Sequence, residues 1–222
     1  MSAGPQMSPE AYGKPVVGEP RLISVLLVVD MDLLRDALVT LLSDQQDMEV
    51  VADLKCDDNV VAVASRLRPA IAVIDIDQPG SRGLKLVYDL RDQMPATRVV
   101  ALAAAKPPGL VQQVLTAEVL GVVDKHTSAE RLLHAIRGVA KGSQVVDVNL
   151  AVAALSAGPN PFTPRELQVL RLAADGASGP EIASRLSLSK GTVRNYLSKV
   201  MNKTCARTRI DAIRIVREAG WL

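Results

Sequence analysis

The side chains best placed for chemistry fall into two groups. Ser189, Lys190, Thr192, Arg194, Asn195, Ser198, Lys199 and Lys203 lie in one stretch, SKGTVRNYLSKVMNK, whose apolar residues recur at helical spacing. Val193, Leu197, Val200, Met201 and Thr204 form one stripe of that helix, and Gly191, Arg194, Asn195, Ser198 and Asn202 form the opposite one. A guanidinium bonds guanine bidentately and a carboxamide does the same with adenine, so Arg194 and Asn195 have the chemistry of base readers, with Ser198 a weaker third. Ser189, Lys190, Thr192, Lys199 and Lys203 suit phosphate contacts, which position without specifying. Any one of these residues also fits the solvated face of an amphipathic helix; the whole stripe, in a basic segment, favours the nucleic-acid reading. The second group is acidic. The apolar run Ile23 to Val29 ends at Asp30, and Ala70 to Ile74 ends at Asp75. Carboxylates gathered at one sheet edge are a setting for a hard cation. Other chemistries find little support. Cys56 and Cys205 form no CxxC and read as small buried hydrophobes, and His126 and His134 stand apart from any Cys or acid array at ligand spacing.

The formal charge of +2 divides unevenly along the chain. Residues 158–222 hold eleven Lys or Arg against five Asp or Glu, and the remainder holds fifteen against nineteen. A basic C-terminal segment suits a polyanion, and an acidic remainder suits a separate domain with a different task. Aromatic residues make up only 2% of the chain, so the stacking platforms of RNA and single-strand binders are lacking. No apolar run approaches the roughly 18 residues that span a bilayer, and the first twenty residues carry no apolar signal core. A cytoplasmic protein without a membrane partner is expected.

These residues need elements to hold them. Ile23 to Val29, Met48 to Ala52, Ala70 to Ile74, Arg98 to Ala103 and Gly121 to Val123 read as strands; Leu33 to Leu42, Asn59 to Leu67, Leu84 to Gln93, Gly109 to Glu118 and Ser128 to Ala140 read as helices. The alternation predicts an α/β domain over 21–141, a five-stranded parallel sheet covered on both faces, with its site at the carboxyl ends of the strands. Residues 1–20 read as a flexible tail, and 142–161 as a linker with an extra helix or docked segment over Val145 to Leu155. From 162 to 222 the pattern predicts an all-α four-helix domain. Thr163, Pro164 and Glu166 make a capping box, with Phe162 and Leu167 as its hydrophobic staple; Ser178 and Glu181 make a second box, Ser189 caps the third helix, and Thr208 or Arg209 opens the fourth. The second and third helices, joined by a turn near Leu188, have the geometry of a helix-turn-helix. The repeats Leu132, Ile136, Val139 and Ile210, Ile213, Val216 read either as dimer surface or as core.

The string FTPRELQVLRLAADGASGPEIASRLSLSKGTVRNYLSKVMNKT resembles the LuxR-type helix-turn-helix, and the resemblance places Arg194, Asn195 and Ser198 at base-facing positions. Gly179 and Pro180 stand where that family often has Asn-Lys, which removes one phosphate-contacting side chain. GTVRNYLS and the terminal Gly-Trp-Leu are most similar to the DesR-like branch of the NarL/FixJ response regulators.

The acidic portion resembles the flavodoxin-like receiver domain of those regulators, with VIDIDQPGSRGLKLVYDLR similar to the phosphorylation segment. The resemblance implies that Asp75 is the phospho-acceptor, that Asp77 lends its carbonyl to Mg²⁺ beside Asp30 and Asp75, and that Lys125 pairs with the phosphoryl group. A carboxylate nucleophile needs such counter-charges before it accepts a phosphoryl group. Three positions depart from the pattern. Val29 takes the place of one of two adjacent acids, with Asp32 the nearest substitute; Ala103 stands where a Ser or Thr hydroxyl is usual; Val122 stands where a switching aromatic is usual. Losing one carboxylate weakens cation binding by about a few kcal/mol at an effective dielectric near 20. The expectation is a DNA-binding transcription regulator, not an enzyme, that recognises double-stranded DNA as a dimer. Its receiver pocket is degenerate, Mg²⁺ is weak or absent, no cofactor is required, and control is weakly dependent on phosphorylation or independent of it. Two alternatives stay open: a conventional regulator activated at Asp75 by a sensor kinase, and a partner that forms heterodimers with a related regulator. A phosphate-sink activity is a further class, opposed by the pocket defects.

Overall fold

The computed structural model describes residues 22–77 and 82–222; the N-terminal stretch read as a tail, 1–20, lies outside the described residues. The elements run β1 (Ile23–Val28), α1 (Asp32–Ser43), β2 (Met48–Leu54), α2 (Val60–Leu67), β3 (Ile71–Asp75), α3 (Arg82–Gln93), β4 (Arg98–Ala103), α4 (Pro108–Thr116), β5 (Gly121–Asp124), α5 (Ala129–Ala140), β6 (Val145–Val146) and α6 (Val148–Ala157). Four helices follow: α7 (Pro164–Ala174), α8 (Gly179–Arg185), α9 (Lys190–Thr204) and α10 (Arg209–Glu218).

The sheet has the order β2-β1-β3-β4-β5-β6, and its pairs are parallel. Every residue of β3 is buried, as its unbroken apolar run requires when helices cover both faces. One layer packs Leu38 and Leu42 of α1 and Leu132, Ile136 and Val139 of α5 against the sheet. The other packs α2, α3, α4 and α6 against the opposite face. Each fully buried aliphatic side chain contributes about 1.5–3 kcal/mol relative to exposure. Leu132, Ile136, Val139 and Val216 are therefore core rather than dimer surface, Ile213 is half-buried, and Ile210 stands exposed.

The sheet has six strands where five were expected. A two-residue strand leaves no periodicity to detect; β6 exists because the Val145 and Asp147 amides donate to the carbonyls of Leu120 and Val122, at 2.7 and 2.9 Å, covering the edge of β5. The expected helix accordingly begins at Val148, where Asp147 caps it by accepting from the Asn149 amide. Leu150 and Ala154 of α6 are buried with the α4 side chains Leu110, Val111 and Val114, so the extra helix is docked on the α/β domain.

The C-terminal helices follow their punctuation closely. Both capping boxes form, and Ser189 and Thr208 each accept from the amide three residues on. Phe162 and Leu167 meet in one cluster with Leu170, Val200, Val216 and Trp221. A second cluster joins α7, α8 and α9 through Val169, Ile182 and Val193. Cys205 departs from its expected burial: it is exposed and ends α9 in the left-handed region at φ 54°, whereas Cys56 is half-buried.

Candidate nucleic-acid interface and acidic pocket

Residues Leu186–Ser189 make the turn between α8 and α9, closed by the Leu188 amide on the Ala183 carbonyl at 2.8 Å. This sets α9 across the domain with Val193 and Val200 inward and Gly191, Arg194, Asn195 and Asn202 outward. Ser198 is half-buried at the edge of the exposed stripe. Among the described residues, Lys190, Arg194, Asn195 and Lys199 make no side-chain hydrogen bond or ion pair, and all four are exposed, which leaves their donors available to a ligand.

Other members of the expected set are already engaged. The Ser189 hydroxyl accepts from the Thr192 amide at 3.0 Å and meets the Thr192 hydroxyl at 2.9 Å. Lys203 points back into its own domain, with its ammonium 2.7 Å from Glu166 Oε2, 2.8 Å from the Pro161 carbonyl and over the Phe162 ring. Glu166, 3% exposed, also accepts from the Thr163 amide at 2.8 Å. Burial alone would lift this carboxyl, but the bonds from Lys203 and Thr163 outweigh it and hold it below the ordinary carboxylate range. Lys203 thus ties α9 to α7, a role its place in a run of basic residues does not reveal. Two further arginines are used likewise: Arg165 donates to the Leu186 carbonyl in the turn, and Arg209 to that of Ala173.

In the receiver, Asp30, Asp75, Ala103 and Lys125 all lie at the carboxyl ends of parallel strands, as expected of a doubly wound sheet. Gly83 of α3 is what brings the helix so close to β3, since a Cβ there would sit 2.4 Å from the Asp75 carbonyl oxygen. The Lys125 ammonium lies 2.5 Å from Asp75 Oδ1 and 2.9 Å from Asp77 Oδ2. Burial alone would lower the Lys125 pKa, but the two carboxylates outweigh it and hold the ammonium above its ordinary value. Burial pushes Asp77 upward against the pull of Lys125 and the Ala104 amide. Asp75 Oδ1 accepts from the Asp77 amide at 3.0 Å, and Asp77 Oδ2 accepts from the Ala104 amide at 2.7 Å. Asp30 Oδ1 accepts from the Cys56 amide at 2.6 Å. Burial, then the charge of Asp30, pushes the Cys56 thiol up to about 12, so the thiolate needed for redox chemistry is suppressed. Asp32 does not enter the pocket; it pairs with Arg35 at 2.5 Å and Lys55 at 2.9 Å.

A Mg²⁺ ion requires several oxygens around one point. Here Lys125 stands between Asp75 and Asp77, Asp30 is engaged by a backbone amide, and among the described residues no three His, Cys, Asp or Glu side chains converge as a metal-holding group. Among the described residues Asp77 Oδ1 is buried without a partner, but one orphan oxygen is not a donor set. The residues present do not fit the cation. Ala103 and Val122 are wholly buried, offering neither hydroxyl nor ring.

Residues 25–137 match the response regulator receiver domain, and residues 160–216 match the bacterial regulatory proteins of the luxR family. The chain is 39% identical to response regulator RamR of Streptomyces coelicolor, covering 90% of this chain and 98% of that one. It is 36% identical to the transcriptional regulatory protein DesR of Bacillus subtilis, covering 90% and 99%. Among solved structures it is similar to RcsB from Salmonella enterica serovar Typhimurium bound to promoter rprA, with a TM-score of 0.64 and 19% identity over 89% of this chain and 99% of that one. Response regulator ChrA of a heme-sensing two-component system aligns with a TM-score of 0.55 and 23% identity over 90% and 99%. Among the described residues no helix is long and apolar enough to cross a membrane.

Proposed function

Because the chain belongs to the LuxR-type response regulators of the NarL/FixJ family, DNA-binding regulators of transcription, we propose that its receiver controls DNA binding with little or no dependence on phosphorylation. The observation that carries this reading is a pocket lacking the acid at 29, the hydroxyl at 103 and the aromatic at 122. Lys125 offsets only one of the two carboxylate charges it meets, and the hydroxyl and ring that would respond to a phosphoryl group are missing. The protein acts as a dimer on double-stranded DNA in the cytoplasm, where a bacterial chromosome is met. Each α9 reads one half-site, the two centred about one helical turn apart. Arg194 and Asn195 read bases, and Lys190 and Lys199 contact phosphates. With about four phosphates met per protomer, the logarithmic salt slope of specific binding is near −7; a slope shallower than about −3 refutes dimeric engagement.

The test of the receiver is incubation of the full chain with Mg²⁺ and acetyl phosphate, read by intact mass and by gel shift. The expected outcome is little or no added mass and unchanged DNA affinity. Stoichiometric phosphorylation at Asp75 with tighter DNA binding supports instead a conventional regulator served by a sensor kinase, a reading favoured by the retained contact of Asp75 with Lys125. Titration with a related regulator distinguishes the heterodimer: DNA binding that appears only in the mixture replaces the homodimer.

A further inference from the structure

Two neighbouring residues in the first turn of α7 reach opposite ends of α9. Glu166 Oε2 meets the Lys203 ammonium at 2.7 Å, near the C-terminal end of α9. Arg165 goes the other way: its Nη2 donates to the Leu186 carbonyl at 2.8 Å, in the turn just before the Ser189 cap. Both belong to the capping box that opens α7, where Thr163 and Glu166 each accept from the other's amide, so the turn from which Arg165 extends is itself fixed. The second guanidinium nitrogen, Nη1, donates to Gln168 Oε1 at 2.8 Å, one turn on along α7. A planar fork bonded at both tips keeps one orientation.

The turn needs that donor. As the chain reverses out of α8, the Leu186 amide donates to the Ile182 carbonyl at 3.0 Å and the Leu188 amide to that of Ala183 at 2.8 Å, with Ser187 between them in the left-handed region at φ 52°. Among the described residues no backbone amide reaches the Leu186 carbonyl, and Arg165 is the only side chain of another helix that hydrogen-bonds the turn Leu186–Ser189. A carbonyl at a helix end suits a cationic donor, because the helix dipole is negative there. Packing of Val193 with Val169 and Ile182 sets how deep α9 sits, but apolar contact is non-directional and leaves tilt to the bonds at the two ends.

The tilt matters for reading bases. Arg194 lies nine residues before Lys203, which is about 13 Å along the helix. Were α9 held at the Lys203 end alone, a tilt of about 5° would carry Arg194 about 1 Å, twice the roughly 0.5 Å within which a recognition geometry must be held. Contacts of Lys190 and Lys199 with phosphates tolerate such a shift, since an ammonium on a flexible stem is a point charge with no required direction.

We infer that Arg165 is a positioning residue for base recognition. By fixing the Leu186 carbonyl while Glu166 fixes Lys203, it sets the angle at which α9 presents Arg194 and Asn195, and so governs discrimination between sequences rather than affinity for DNA in general. It acts through the turn and touches no DNA itself. The inference rests on the reading of α9 as the helix that meets base edges.

The test compares the full-length chain with Arg165→Ala, Arg165→Lys, Gln168→Ala and Arg194→Ala, each checked for fold by circular dichroism. Binding is measured by gel shift at several salt concentrations, on an operator duplex selected by the unaltered chain from a random-sequence library and on random duplex. Arg165→Ala is expected to bind the operator about tenfold more weakly, the scale of one lost bidentate base contact, and random duplex within about twofold, with the salt slope unchanged. On half-site variants it relaxes the positions read by Arg194 and Asn195 together, whereas Arg194→Ala relaxes one. Arg165→Lys keeps one cationic donor for the carbonyl and recovers part of the specificity ratio; a lysine variant indistinguishable from alanine overturns the contact with Leu186 as the cause. Gln168→Ala frees one tip of the fork, lowers the ratio by about threefold on the same scale, and carries the test if Arg165→Ala fails to fold. Equal losses on operator and random duplex, with a slope shallower by about 0.9, make Arg165 a phosphate contact and overturn the inference. An unchanged ratio overturns it as well. Equal losses for Arg194→Ala on both duplexes refute base reading by α9, on which the inference rests; a preserved Arg194 effect beside a flat Arg165 result refutes the inference alone.

Discussion

Replacing Glu166 separates two jobs done by one buried carboxylate. Its Oε2 atom accepts from the Thr163 amide at 2.8 Å and from the Lys203 ammonium at 2.7 Å. Glu166→Ala removes both bonds. The first is worth about 1 kcal/mol as a helix-start bond, and the second about 1.5–2 kcal/mol, the low end for a charge-assisted bond because Lys203 is about one third exposed and keeps the Pro161 carbonyl. The summed loss is about 2.5–3 kcal/mol. Glu166→Gln keeps an acceptor for Thr163 but gives up the charge, for a loss of about 1–1.5 kcal/mol. Urea unfolding followed through Trp221, which shares a core cluster with α7 and α9, measures both variants. Acidity adds a signed check. The folded carboxyl is held below its ordinary range, so its contribution is complete above the unfolded value near 4.5 and fades as pH falls through the lowered one. The gap between the native chain and Glu166→Gln therefore narrows on acidification. Equal losses for Gln and Ala, or a gap that widens toward low pH, refute the charge-pairing account.

Arg194→Ala costs about 1–3 kcal/mol of specific affinity and relaxes one base position of the operator, as read by binding to a library of half-site variants; an equal loss on random duplex makes Arg194 a phosphate contact. Lys125→Gln strands Asp75 and Asp77 without their cation and destabilises the receiver by about 3 kcal/mol, measured by thermal unfolding, and a loss below about 1 kcal/mol shows the ammonium to be dispensable. Cys205→Gly relieves the left-handed cap of α9 and stabilises the DNA-binding domain by about 0.5–1 kcal/mol in the same urea assay; a destabilised variant refutes that account of the cap.

Legibility in the sequence tracked how local each determinant was. Capping boxes at Thr163 and Ser178 are written in four consecutive residues, so the starts of α7 and α8 were readable outright. The buried strands announced themselves because a strand covered on both faces has no polar alternation to confuse it. By contrast, β6 is two residues recruited to an edge by the carbonyls of Leu120 and Val122, and nothing in Val145 and Val146 distinguishes them from the start of a helix. The pocket was legible as a set of strand ends, since parallel strands must bring Asp30, Asp75 and Lys125 to the same edge. The pairing of Lys125 with Asp77, and of Asp30 with the Cys56 amide, depends on loop geometry that no spacing encodes. Lys203 shows the same limit from the other side: its charge and helical position suit DNA, and only the packing of α9 on α7 turns it toward Glu166.

The two sites therefore respond differently to substitution. Base reading needs a few exposed donors on a rigid helix, and in the proposed reading Arg194 and Asn195, both exposed, each act on their own. A phosphorylation switch needs acid, cation, hydroxyl and ring together, because the receiver must be more stable with the phosphoryl group than without it, and each missing donor subtracts from that difference. Val29, Ala103 and Val122 each remove one. What survives is Asp75 and Asp77 around one ammonium, whose two ion contacts favour a single arrangement although one carboxylate charge stays unmatched. Under the proposed phosphorylation-independent reading, control acts on the stability of that arrangement.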